Sequence, residues 1–83
     1  MWYLYIVECS DKTLYTGITT DIEKRIEHHN TSNLGAKYTR GKRPVHLVYS
    51  KKYKDKASAS KEEYRIKQLS RDEKIKMIKK SKI

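Results

Sequence analysis

Cysteine is nearly missing from this chain. Cys9 is the only one, so no internal disulfide can form and a reducing, cytoplasmic setting is expected. No Cys/His spacing suits zinc. The three glycines stand apart at 17, 35 and 41, so there is no glycine-rich phosphate loop, and no Ser-His-Asp arrangement can be argued. Long apolar runs are missing too. The opening MWYLYIVEC is far too short to span a bilayer and has no basic residue before it. It reads as a strand, neither a signal peptide nor an anchor. No internal repeat or linker-like tract interrupts the chain, although the lysine-rich tail approaches low complexity. Eighty-three residues leave room for one modest core, so residues 1–83 are expected to form a single domain.

What the chain has in excess is positive charge: 20 Lys and Arg against 10 Asp and Glu, a formal +10. Residues 51–83 hold thirteen basic and five acidic side chains, a net +8, and residues 1–50 only +2. A field of that sign favours polyanions, nucleic acid first and acidic membrane surfaces second. It does not specify chemistry.

The patterning predicts an α+β fold. Residues 2–9 (WYLYIVEC) are aromatic and β-branched, which suits a buried strand. SDK at 10–12 is turn chemistry, and TLYTGI at 13–18 returns as the second strand of a hairpin. Gly17 there marks a bulge or a close approach to the backbone. Thr20 to Glu23 matches a capping box with Thr20 as N-cap, so a helix is expected from about Asp21 to His29, with Ile22, Ile26 and His29 on one face. Asn30 to Arg43 reads as loop, closed by Pro44. Val45, Leu47 and Tyr49 alternate with His46 and Val48 in a third strand. Lys56 to Leu69 has helical spacing with Ala59, Glu63 and Ile66 in one stripe. Ser70 to Glu73 is a second capping box that opens a last helix. The order is β-β-α-β-α-α, a small, mainly antiparallel sheet flanked by helices.

Several side chains invite a chemical reading. With a two-residue turn, Tyr5 and Tyr15 fall on opposite faces; with a three-residue loop from Ser10 to Lys12, Val7 pairs with Tyr15 and both tyrosines share one face. Either is otherwise an ordinary sheet aromatic. Arg25 and His29, four apart, border the Ile22/Ile26 stripe, where they can present donors to a phosphate. The plainer alternative is a snorkelling arginine and a histidine favoured by the helix dipole. His28 lies off that face, toward solvent. Glu63 sits where a carboxylate needs a partner, which a divalent cation or a neighbouring lysine would supply equally well. Lys37, Tyr38, Arg40, Lys42 and Arg43 mix an aromatic with cations, which suits nucleic acid and equally any solvated loop. His46 reads as an exposed strand residue and Trp2 as core or sheet edge.

As a set, these residues resemble the GIY-YIG nuclease domain, particularly its small stand-alone bacterial members and the amino-terminal nuclease module of the UvrC excision-repair enzyme. The first motif falls on Tyr3-Leu4-Tyr5 and the second on Tyr15-Thr16-Gly17. The helix element falls on Asp21 to His29, the late acidic element on Glu62 to Arg65, and GAKYTRGKRP at 35–44 resembles a loop of the family. Tyr3 stands where the first motif has glycine, and Thr16 where the second has isoleucine. The resemblance implies a three-stranded antiparallel sheet and a metal-dependent DNA endonuclease, in repair or recombination, using one Mg²⁺ or Mn²⁺. It implies Glu63 as the metal ligand, Arg25 on the scissile phosphate, and Tyr5 and Tyr15 lining the site, one of them taking the proton of the attacking water. His29 would support the nucleophile or phosphate, and Gly17 would permit close packing. DNA would be held through its backbone with little base reading. A nucleic-acid-binding module with little activity of its own, acting with a protein partner, is the alternative.

Overall fold

The computed structural model describes residues 1–31 and 42–81. Three strands, β1 (Trp2–Glu8), β2 (Leu14–Thr19) and β3 (His46–Tyr53), form one sheet in the order β2-β1-β3, with both pairings antiparallel. The helices are α1 (Ile22–Thr31), α2 (Lys56–Lys67) and α3 (Arg71–Ser81). The α+β class and the β-β-α-β-α-α order are those expected.

The hairpin takes the three-residue loop. Val7 pairs with Tyr15 and Tyr5 with Gly17, the Cys9 amide donates to the Thr13 carbonyl at 2.8 Å, and the Lys12 amide to the Cys9 carbonyl at 2.9 Å. Such a loop ends in a left-handed residue. Lys12 fills that position at φ 72°. The odd count puts Tyr5 and Tyr15 on the same side of the sheet.

Strand alternation then divides the core. Leu4 and Ile6 point to one face, where Ile66 of α2 and Ile78 of α3 cover them. Tyr5, Val7 and Cys9 point to the other, packed with Val45, Tyr15 and Ile26 of α1.

Four expectations need correction. Asp21, rather than Thr20, caps α1: its carboxylate accepts the Lys24 amide at 3.1 Å, while its own amide donates to Thr19 Oγ1 at 3.2 Å. The helix also runs two residues further than expected and takes in Asn30 and Thr31. The third strand does not alternate strictly. A register shift between Ile6 and Val7 makes Val48 a bulge, so Val48 and Tyr49 both pack on the Leu4/Ile6 face while Leu47 is exposed. His28 is half-buried instead of solvated. The second capping box forms as expected, with Glu73 accepting the Ser70 amide at 3.0 Å and Ser70 accepting the Glu73 amide at 3.2 Å.

Candidate active site

The α1 side of the sheet gathers the polar groups. Tyr5 and His29 are buried, at 1% and 0% exposure, and each must therefore find partners. The Tyr5 hydroxyl lies 3.0 Å from His29 Nε2, and Arg25 Nε donates to the same oxygen at 3.3 Å. The hydroxyl accepts from Arg25 and either donates to His29 Nε2 or accepts from it, according to the imidazole tautomer. Tyr15, half-buried, closes an aromatic triangle: ring centroids lie 6.4 Å apart for Tyr5–Tyr15, 5.9 Å for Tyr5–His29 and 5.5 Å for Tyr15–His29.

Titration follows from this packing. Burial lowers the His29 pKa to about 4, helped by the cations Arg25, His28 and Arg43. Burial raises the Tyr5 pKa; the hydrogen bond and charge of Arg25 oppose this, while Tyr15 and Glu63 add to it. At neutral pH the Tyr5–His29 pair is therefore uncharged, and Arg25 supplies the positive charge beside it.

Gly17 makes the arrangement sterically possible. A Cβ there would lie 2.6 Å from the Tyr5 hydroxyl oxygen and 2.8 Å from Cζ. The tyrosine head occupies the space that a side chain on β2 would need.

Segment 42–45 braces the far end of α1. The Asn30 side chain accepts the Val45 amide at 2.7 Å and donates to the Val45 carbonyl at 3.2 Å. Arg43 Nε donates to the His29 carbonyl at 2.7 Å. Lys42 pairs with Asp11 at 3.3 Å, with its Nζ 3.4 Å from Thr13 Oγ1. Lys42 and Arg43, expected beside nucleic acid, make these scaffold contacts. Lys37, Tyr38 and Arg40 lie outside the described residues. The Asn30 clamp escaped the sequence reading because its partner lies fifteen residues on and no local pattern marks it.

Glu63 arrives differently. It belongs to α2, whose Ile66 packs on the opposite face of the sheet. It forms an ion pair with Lys67 at 3.3 Å, its side chain 23% exposed, and its charge reaches the Tyr5 phenol. Among the described residues no group of three or more His, Cys, Asp or Glu side chains could hold a metal. Nor is any helix there long and apolar enough to cross a membrane.

Tyr5, Tyr15, Gly17, Arg25 and His29 are thus brought together, with Glu63 within electrostatic reach. The model of the GIY-YIG catalytic domain matches residues 1–76. A UPF0213 protein of Desulfotalea psychrophila is 56% identical over 96% of this chain and 73% of its own length. One of Halobacterium salinarum is 51% identical over 89% of this chain and 95% of its own. The solution NMR structure of a UPF0213 protein of Bacillus halodurans superposes with a TM-score of 0.61 at 45% identity, covering 95% of this chain and 84% of that one. That of a protein of E. faecalis gives 0.63 at 36% identity, over 94% and 82%. The chain belongs to the GIY-YIG catalytic domain family, a family of nucleases.

Proposed function

We propose that residues 1–83 act as a divalent-metal-dependent DNA endonuclease of the cytoplasm, in DNA repair or recombination. The observation that carries this reading is the convergence of Arg25, Tyr15 and the buried Tyr5–His29 pair over Gly17.

Arg25 is anchored through Nε, which aims the guanidinium at a phosphate bound on this side and stabilises the charge that grows on its oxygens during attack. The two tyrosines part company. Tyr5 is buried, and its pKa is raised, so it stays a neutral hydroxyl whose hydrogen bonds position Arg25 and His29. Tyr15 is the half-exposed phenol beside them and is the one that takes the proton of the attacking water. Water oxygen forms the new bond to phosphorus as one ester P–O bond breaks, the water proton passes to Tyr15 as the phenolate, and the departing ester oxygen takes a proton from solvent.

Glu63 fits a hard cation. It is half-buried, its field bears on Tyr5, and its exposed Lys67 partner is weakly held. One carboxylate with water and phosphate oxygens is a normal Mg²⁺ shell. When bound by Glu63, Mg²⁺ or Mn²⁺ supplies Lewis-acid polarisation of a phosphoryl oxygen. The Lys67–Glu63 pair also favours the second reading, a binding module in which Glu63 is only a salt-bridge partner. Lys42, Arg43 and the basic carboxy-terminal third hold the DNA backbone, with little sequence reading.

Tyr15→Phe and Arg25→Ala test the assignment on supercoiled DNA with Mg²⁺. Each should lower the cleavage rate by at least about 10²-fold, with Tyr15→Phe keeping its DNA affinity. Cleavage by Tyr15→Phe at the wild-type rate would remove Tyr15 as the proton acceptor.

A further inference from the structure

Among the described tyrosines, Tyr64 stands apart. Tyr5 is buried and Tyr3, Tyr15, Tyr49 and Tyr53 are half-buried, but Tyr64 is 71% exposed. A ring left in water gains none of the packing that normally keeps a tyrosine in a sequence. The placement follows from α2 itself. Ala59 and Ile66 face the core, which turns Tyr64 outward, with Ser60 and Lys61 one helical turn before it and Gln68 one turn after.

The surroundings are shaped. A shallow cleft of about 500 Å³ lies on one side of the ring, floored by the small residues Ala57, Ser58 and Ser60. Another of about 450 Å³ is bordered by Glu62, Arg65 and Gln68. Lys61 and Tyr64 border both, while Arg65 and its ion-pair partner Glu62 border only the second, so the two cations lie along one flank of the ring. A flat, anionic partner suits this surface better than an apolar one, since polar and charged side chains surround the ring.

The geometry points to Tyr64 as a stacking platform for an unpaired nucleobase, with Lys61, beside the ring in both clefts, meeting the adjoining phosphate. A duplex hides its base faces and offers an exposed ring only backbone and groove edges; an unpaired nucleotide offers its π-face. The +8 charge of residues 51–83 complements the strand. This deepens the nuclease reading, from which it takes only that the ligand is nucleic acid: the preferred ligand carries an unpaired strand.

Binding measured in EDTA keeps the test independent of cleavage. Fluorescence anisotropy with labelled oligothymidine, a blunt duplex and an abasic oligonucleotide of equal length compares wild type, Tyr64→Ala and Tyr64→Phe. Tyr64→Ala should weaken oligothymidine binding about 5- to 100-fold and leave duplex and abasic binding unchanged, while Tyr64→Phe binds like wild type. Equal oligothymidine affinity for Tyr64→Ala and wild type, or an equal loss on all three probes, would overturn the proposal. Loss in Tyr64→Phe as large as in Tyr64→Ala would do the same, since the hydroxyl and not the ring would be responsible. A failed cleavage assay leaves this result standing, and a negative result here leaves the nuclease reading intact.

Discussion

Gly17 and the Tyr5 side chain claim one volume: a Cβ on Gly17 would sit 2.6 Å from the Tyr5 hydroxyl oxygen and 2.8 Å from Cζ. Tyr5 cannot yield cheaply, because it is buried and tied to His29 and Arg25. Gly17→Ala should therefore destabilise the fold by about 1–3 kcal/mol in urea denaturation at pH 7, and should lower cleavage by displacing the tyrosine. A change below about 0.5 kcal/mol would show that the ring moves freely.

The Tyr5–His29 pair sets a pH dependence. His29 has a folded pKa of about 4 against roughly 6.5 for an unperturbed histidine. Between those values the unfolded chain binds a proton that the folded chain does not, so stability is complete above about pH 6.5 and falls as pH drops toward 4. Protonation also makes both His29 ring nitrogens donors, so the Tyr5 hydroxyl can then only accept from Nε2. The expected loss attributable to His29 is on the order of 1–3 kcal/mol. Denaturation at pH 7, 5.5 and 4.5 should show a steeper decline for wild type than for His29→Gln. Parallel declines would place the titration elsewhere.

Asn30 imitates a strand partner, giving Val45 both an acceptor and a donor. Asn30→Ala leaves both Val45 backbone groups unpaired in a half-buried setting and should cost about 1–3 kcal/mol, or several degrees in Tm. Asn30→Asp keeps the acceptor for the Val45 amide and should lose less. Equal losses would mean that the amide contact contributes nothing of its own.

Much of this was legible in the sequence, and the gaps have physical causes. The sequence leaves two hairpin registers open, and only the odd loop brings Tyr5 and Tyr15 to one face, because the side-chain period is two. The Ser70–Glu73 box was legible because both partners lie within one turn. The start of α1 was not: Thr19, Thr20 and Asp21 are all competent caps, and the Thr19 side chain engages the Asp21 backbone at both ends. The Val48 bulge and the Asn30–Val45 clamp depend on pairings between distant segments, which no local period encodes. Nor does the sequence distinguish Tyr5 from Tyr15, since α1 decides which ring is covered.

DNA affinity should fall steeply with salt, because phosphate contacts release counterions. A loss on the order of 10³-fold between about 50 and about 200 mM salt is expected for a surface contacting several phosphates. A nearly flat dependence would contradict backbone-dominated binding.

The most direct test is the cleavage of supercoiled, linear and branched DNA by wild type and Glu63→Ala, each with Mg²⁺, Mn²⁺ or EDTA. The account predicts metal-dependent cutting by wild type that disappears in EDTA and in Glu63→Ala, while the variant still binds DNA. Cutting by Glu63→Ala at the wild-type rate would contradict the role given to Glu63, and binding without cutting by wild type on every substrate would contradict the nuclease itself.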